Sequence, residues 1–286
     1  MGRITDALKK VTDERVPRIQ KKPAVQYVIR EVEDTDIEQH IVSFHDPTSP
    51  IGEQYKILRT NIQALKFSKD YKTFLITSSV NKEGKTVTSA NLAIAMAQEM
   101  NEKKVLLIDA DMRKGTVGKY LGIDISPGLS EILSKKAELQ NCLVNPGIDN
   151  FSVLPAGKAP HNPSELLNSK RMEQLIADLK KRFDYIFIDS PPIMPITDAC
   201  IIGSMVDGVI VVIQAGRTQR DMIKHVQHRL FQAHANTLGF IVTNVEYHVP
   251  RSLYRYVHEY STYDSYYKAN KQDKRVNKKE EVANVV

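Results

Sequence analysis

The chain has 286 residues, 42% of them hydrophobic and 26% charged, with a net charge of +6. That is enough for one large domain or two small ones. No apolar run approaches 18 residues, so nothing is expected to span a membrane; the two cysteines, Cys142 and Cys200, suggest neither a disulfide framework nor a zinc site and fit a reducing cytoplasm.

The first sixteen residues, MGRITDALKKVTDERV, lack the apolar core of a signal peptide, and Asp6 stands where a myristoylation signal has Ser or Thr. Residues 1–50 are polar and carry prolines at 17, 23, 47 and 50, with a short helix expected only over 3–14. They read as an extension with little core of its own. Lysines and arginines load both ends of the chain, either as solvated termini or as attraction to an anionic membrane surface or acidic partner. No pattern for nucleic-acid binding is present, and none is expected.

From Ile51 the character changes. Tyr55, Leu58, Ile62 and Leu65 recur at helical spacing. Short Val- and Ile-rich runs follow at 73–77, 104–109, 151–155, 185–189, 208–214 and 239–245, as expected of strands buried on both faces. Helices are expected at 85–100, 169–182, 196–205 and 218–235, the last with Met222, Val226, Leu230 and Ala233 as its apolar stripe. Alternating strands and helices predict an α/β fold: a three-layer sandwich with a mostly parallel central sheet, like that of P-loop NTPases. The division expected is an extension (1–50), a domain (51–250) and a tail (251–286).

Three motifs carry chemistry. The run FLITSSVNKEGKTVTSANLAIA reads as strand, loop and helix, with Gly84-Lys85-Thr86 at the junction. In such a loop, backbone N–H groups and a helix N-terminus cradle phosphates, a lysine neutralises them and a hydroxyl ligates Mg²⁺. The usual first glycine is Ser79 here. VLLIDADMR ends a strand with Asp109 and Asp111, two positions apart and therefore able to converge on one metal–phosphate centre. YIFIDSPP ends another with Asp189, where a Mg²⁺-holding carboxylate is expected.

SSVNKEGKT, ANLAIA, LLIDADMR, FIDSPP and ITDA, in this order, resemble the bacterial protein tyrosine kinases of capsular and exopolysaccharide synthesis. The resemblance runs from about Ile51 to Tyr267. It implies an ATP- and Mg²⁺-dependent tyrosine autokinase. Lys85 would contact phosphates, Thr86 and Asp109 would serve Mg²⁺ with support from Asp189, and Asp111 would accept the tyrosine proton. The nucleotide set would be Ser79, Val80, Asn81, Lys82, Glu83, Gly84, Lys85, Thr86 and Val87, with Arg113 and Asn244. It also implies a homo-oligomeric ring built through a Glu-x-x-Arg-x-x-Arg motif, here Glu53, Lys56 and Arg59, though ordinary i,i+3 surface pairs explain the same residues. A separate transmembrane chain-length-determining protein would recruit the kinase to the inner face of the membrane.

One departure stands out: the family's Pro-Gly-Glu-Gly-Lys is Asn81-Lys82-Glu83-Gly84-Lys85 here, so Lys82, in place of a glycine that supplies an unusual backbone angle, either alters loop geometry or affinity or adds a phosphate contact. The competing readings are a septum-positioning or plasmid-partition ATPase, whose signature lysine is absent at Val80, and a nucleotide-gated scaffold without catalysis. Among weaker candidates, Asn244 either contacts adenine or ends a strand, Thr218 is an N-cap, and His225 and His228 are surface residues.

Seven of the twelve tyrosines lie between Tyr247 and Tyr267. Tyr256, Tyr260, Tyr263 and Tyr267 fall on one helical face, the pattern of a packed stripe. With a phosphoryl-transfer site upstream, the cluster reads first as substrate: Tyr254, Tyr256, Tyr260, Tyr263, Tyr266 and Tyr267 are the expected autophosphorylation sites, modified between subunits.

Overall fold

The computed structural model describes residues 30–31, 35–99 and 102–245. The expected helix at 3–14 and the tyrosine-rich tail lie outside the described residues. The sheet is built from β1 (Arg30–Glu31), β2 (Thr73–Ser78), β3 (Val105–Asp109), β4 (Val144–Asn145), β5 (Phe151–Leu154), β6 (Tyr185–Asp189), β7 (Gly208–Gln214) and β8 (Thr237–Thr243). Their order is β1-β4-β5-β3-β6-β2-β7-β8, and every pair is parallel except β4 with β5. The six expected strands are thus β2, β3 and β5 to β8, displaced at their ends by two residues or fewer. β1 and β4, two residues each, are too short to show a hydrophobic period.

Strands β2, β3, β5 and β6 are buried along their whole length, as runs without polar alternation must be when helices cover both faces. β8 departs from that expectation: it is an edge strand, mostly half-buried, with Val242 exposed. One face of the sheet carries α1 (Val42–His45), α2 (Pro50–Lys69), α3 (Lys85–Ala97) and α4 (Val117–Leu121). The other carries α5 (Leu129–Leu133), α6 (Pro163–Leu167), α7 (Lys170–Leu179), α8 (Asp198–Gly203) and α9 (Arg220–Gln232). Phe74 and Phe187 from neighbouring strands stack at 5.6 Å in the first layer.

α3 is buried on all sides, not only along Ala90, Ala93, Ile94 and Ala97, because α2 and residues 37–43 cover its outer face. Asn91 makes that cover specific. Its side chain donates to the carbonyls of His40 and Val87 and accepts the Ser43 N–H at 2.8 Å. Within the stretch read as a polar extension, Ile37 and Ile41 are accordingly buried in the domain core.

At the opposite end of the sheet from the motifs, Asp207 ties the start of β2 to the start of β7. Its carboxylate accepts the N–H groups of Lys72 and Thr73 and the Thr73 hydroxyl, and pairs with the Lys180 ammonium at 2.7 Å. Burial pushes this carboxyl up, but the Lys180 bond and the backbone donors outweigh it and hold it below its ordinary 3.8. Asp207→Ala is expected to cost about 2–3 kcal/mol in urea denaturation at pH 7, because two strand-end N–H groups lose a charged acceptor. A depressed carboxyl stabilises above its unfolded pKa and ceases to do so as pH falls through the folded value. The penalty should therefore shrink below roughly pH 4.

Candidate active site

Topology brings the three motifs together. The central order β3-β6-β2 places the carboxyl ends of three strands side by side, with Asp109 and Asp189 in direct register. The phosphate loop leaves β2, and Asp111 follows β3 by two residues. This is the crevice at strand carboxyl ends where open parallel sheets bind ligands.

The loop runs from Ser79 to Gly84, which opens α3 in the left-handed region at φ +92°. A side chain there would be strained. Lys82 also adopts positive φ, +67°, so the position where the family has glycine keeps the conformation that glycine favours. Asn81 and Lys82 are exposed, Val80, Gly84, Lys85 and Val87 half-buried, Ser79, Glu83 and Thr86 buried.

Lys85 places its ammonium among the carboxylates. Its ammonium donates to the Thr86 hydroxyl at 3.1 Å and lies 3.5 Å from carboxylate oxygens of both Asp111 and Asp189. Asp189, fully buried, accepts the hydroxyls of Thr86 at 2.7 Å and Ser89 at 3.0 Å. Asp109, 1% exposed, accepts the N–H of Asp111 at 3.1 Å and of Val117 at 3.0 Å. Asp111, 6% exposed, accepts the Lys114 N–H at 3.0 Å.

Three buried carboxylates therefore share one ammonium. Burial, then the neighbouring Asp189, raise Asp109 to about 7 against the pull of Val117 N–H and Lys85. Burial likewise raises Asp189, which Lys85, Thr86 and Ser89 only partly offset. Burial depresses Lys85, but the carboxylates of Asp189, Asp111 and Asp109 together overcome it and hold its ammonium above its usual value. A centre with this excess of negative charge, ringed by hydroxyls, suits a divalent cation. Among the described residues no group of three side chains is placed to cage a metal alone. Mg²⁺ held jointly with phosphate oxygens and water needs fewer protein ligands, so Thr86, Asp109 and Asp189 fit it.

The remaining expected residues have the following surroundings. Arg113 grips the buried Asp198 of ITDA through Nε at 3.0 Å and donates to Ser164 at 2.9 Å, bracing the loop after β3 against α6 and α8. Asn244 is exposed beyond β8 at φ +54°. Glu53 and Lys56 pair at 2.7 Å within α2, and Arg59 donates to the Ala95 carbonyl of α3 at 2.9 Å. His225 and His228 are exposed, as expected. Thr218 is not the N-cap of α9, a place held by Gln219; its hydroxyl instead donates to Glu83 of the phosphate loop. Ser89, Thr116 and Thr218 were not distinguishable as site neighbours, since each meets its partner through the fold and carries no local motif. Thr116, for instance, places its hydroxyl 3.3 Å from that of Thr86.

Among the described residues, no helix is long and apolar enough to cross a membrane. The family model described as an AAA domain matches residues 75–237. Tyrosine-protein kinase YwqD of Bacillus subtilis is 35% identical over 214 residues, covering 75% of this chain and 90% of the relative. Tyrosine-protein kinase wzc of Salmonella typhi is 35% identical over 229 residues, 80% of this chain but 30% of that much longer relative. The solved kinase domain of the Escherichia coli tyrosine kinase ETK superposes with a TM-score of 0.72 at 29% identity, covering 83% of this chain and 88% of that one. With the phosphate loop and the three strand-end carboxylates in place, the chain belongs to the AAA-domain family and, within it, to the bacterial tyrosine-protein kinases.

Proposed function

We propose that this kinase transfers the γ-phosphoryl group of ATP to the tyrosines of its own C-terminal segment, between subunits, and so regulates capsular or exopolysaccharide synthesis. The observation that supports it most is the meeting of Asp109, Asp111 and Asp189 around Lys85 and Thr86. Phosphoryl transfer needs this kind of centre, since positioning and charge neutralisation do most of the work.

In this reading the loop N–H groups and the N-terminus of α3 receive the phosphates. Lys85 neutralises their oxygens, and Thr86, Asp109 and Asp189 hold Mg²⁺, which when bound supplies charge neutralisation at the phosphates. Asp111 stands near enough to Lys85 to face the same centre. An unperturbed tyrosine, with a pKa of about 10, is neutral at pH 7. Its oxygen forms the new bond to phosphorus as the bond to the β–γ bridging oxygen breaks; Asp111 takes the phenolic proton and ADP leaves.

The tail tyrosines are assigned as substrate from the sequence. Each phosphate adds about −1.5 to −2 charges at pH 7, enough for several together to loosen a docked tail. A ring through α2 would require Lys56 and Arg59 to exchange the partners they hold within the chain. A separate membrane protein is assigned as recruiter, consistent with relatives such as wzc in which the matched part is a minor share of the chain. Recovery of the tagged protein in the membrane fraction without any such partner would count against that.

Incubating the purified protein with ATP and Mg²⁺ tests the reading. Phosphotyrosine should appear, and peptide mapping should place it at Tyr254, Tyr256, Tyr260, Tyr263, Tyr266 and Tyr267. Replacing those six with Phe should remove at least nine-tenths of the label, to order of magnitude. Phosphate release without phosphotyrosine would instead point to an ATPase, and neither product to a scaffold.

A further inference from the structure

Glu83 lies inside the phosphate loop, yet the residue is only 1% exposed and its carboxylate is engaged by protein donors. It accepts the Ser79 hydroxyl at 3.1 and 2.9 Å through its two oxygens, and the Val80 N–H at 3.0 Å. It also accepts the Thr218 hydroxyl from the loop between β7 and α9. The direction of that last bond is forced, because the same hydroxyl accepts the Gln214 N–H at 3.0 Å and so has its proton free for Glu83.

Two further bonds tie the phosphate loop to its neighbours, one from the same β7–α9 loop and one from the end of β8. Arg217 donates to the Lys82 carbonyl at 3.0 Å, and the Thr243 hydroxyl donates to the Glu83 carbonyl at 2.8 Å. Gly216, at φ +71°, makes the turn that brings Arg217 and Thr218 back to the loop.

We infer that Glu83 and Thr218 are positioning residues that hold the phosphate loop in its ligand-ready shape before nucleotide arrives. The loop needs such support. It lacks a glycine at Ser79, and Lys82 holds a positive φ that is unfavourable for a residue with a Cβ. Without a tie, the loop would relax toward ordinary backbone angles and present its N–H groups out of register. The Ser79 side chain, where the usual loop has glycine, becomes one of the ligands of the brace.

A loop that is ready in only a fraction of molecules binds proportionally more weakly. The Glu83 carboxylate thereby contributes to nucleotide affinity through the loop it holds, and the effect reaches it from Thr218, 135 residues away in sequence.

The inference rests on the nucleotide-binding reading, and titration of a fluorescent ATP analogue with Mg²⁺ separates the two. If the unaltered protein binds no nucleotide, that reading fails first. If it binds, Thr218→Val should weaken binding about 10-fold, Thr218→Ser should stay within about 2-fold, and Glu83→Gln should weaken binding in step with Thr218→Val.

The double variant should lose no more than the worse single one, since both break one brace. In the nucleotide-free protein, hydrogen exchange at the Val80 N–H should quicken in both weakened variants while exchange in β2 and β3 is unchanged. Affinity unchanged in a folded Thr218→Val, or losses that simply multiply in the double variant, would overturn the inference. Should Glu83→Gln fail to fold, the Thr218 pair still decides.

Discussion

Lys85→Met is expected to abolish phosphotyrosine formation, by at least about 10³-fold, and to destabilise the nucleotide-free protein as well. The second effect follows from the charge count in the crevice. Asp109, Asp111 and Asp189 are 1%, 6% and 0% exposed, and the Lys85 ammonium lies in ion-pair range of two of them. Removing one partner from a buried ionic cluster leaves uncompensated charge and typically costs about 3–5 kcal/mol. Here the loss is tempered, because carboxyls already raised by burial can take up protons in place of the cation.

The pH dependence has a definite sign. Asp109, at about 7, and Asp189 are raised above their unfolded value of 3.8, so the folded state binds protons that the unfolded state has lost. Their contribution favours folding at low pH and is lost as pH rises through the folded values. Without Lys85 both carboxyls rise further. The gap between variant and unaltered protein should thus be small near pH 4 and grow through pH 7. Urea denaturation in EDTA at pH 5 and pH 8 reads this directly. An equal penalty at both values would mean that lost packing of the lysine stem, not carboxylate repulsion, sets the cost.

How much of this was legible beforehand depends on whether the information is local. Strands such as TFLITS and VLLID announce themselves because burial on both faces leaves no room for polar residues. β8 carries a similar apolar run, LGFIVT, but lies at the sheet edge, and nothing in its composition distinguishes an edge from a centre. The five-residue helices α4, α5 and α6 are too short to complete a recognisable period.

The same divide runs through the site. Gly84, Lys85, Thr86, Asp109, Asp111 and Asp189 sit in contiguous motifs whose spacing reflects strand–loop–helix geometry. Ser89 reaches Asp189 across 100 residues and Arg113 reaches Asp198 across 85, contacts that exist only because the strand order β3-β6-β2 juxtaposes them. The replaced glycine marks Lys82 as a place where the loop could differ; that Lys82 keeps a positive φ, and that Thr218 braces the loop, emerge only from the fold.

Asp111→Asn should separate catalysis from binding. The amide matches the carboxylate in shape but cannot take the phenolic proton, so phosphotyrosine formation should fall about 10²- to 10⁴-fold. Stability should change little. Asp111 now accepts the Lys114 N–H at 3.0 Å with one oxygen and faces Lys85 with the other, whereas an amide can satisfy only one of these donors. Against that loss, the variant removes one of three buried negative charges that share a single ammonium. The two changes oppose each other.

The comparison with Asp189→Asn is what gives the experiment its force. Asp189 accepts Thr86 and Ser89 hydroxyls and pairs with Lys85, so neutralising it disturbs the residues assigned to Mg²⁺. That variant should bind nucleotide with a much weaker dependence on Mg²⁺ as well as lose activity. Asp111→Asn should bind the Mg²⁺-nucleotide complex within a few-fold of the unaltered protein and fail only at transfer. If it also loses Mg²⁺-dependent affinity, Asp111 is a metal ligand and the base lies elsewhere. If it labels tyrosine at the original rate, no base at this position is needed, and the transfer relies on positioning and charge neutralisation alone.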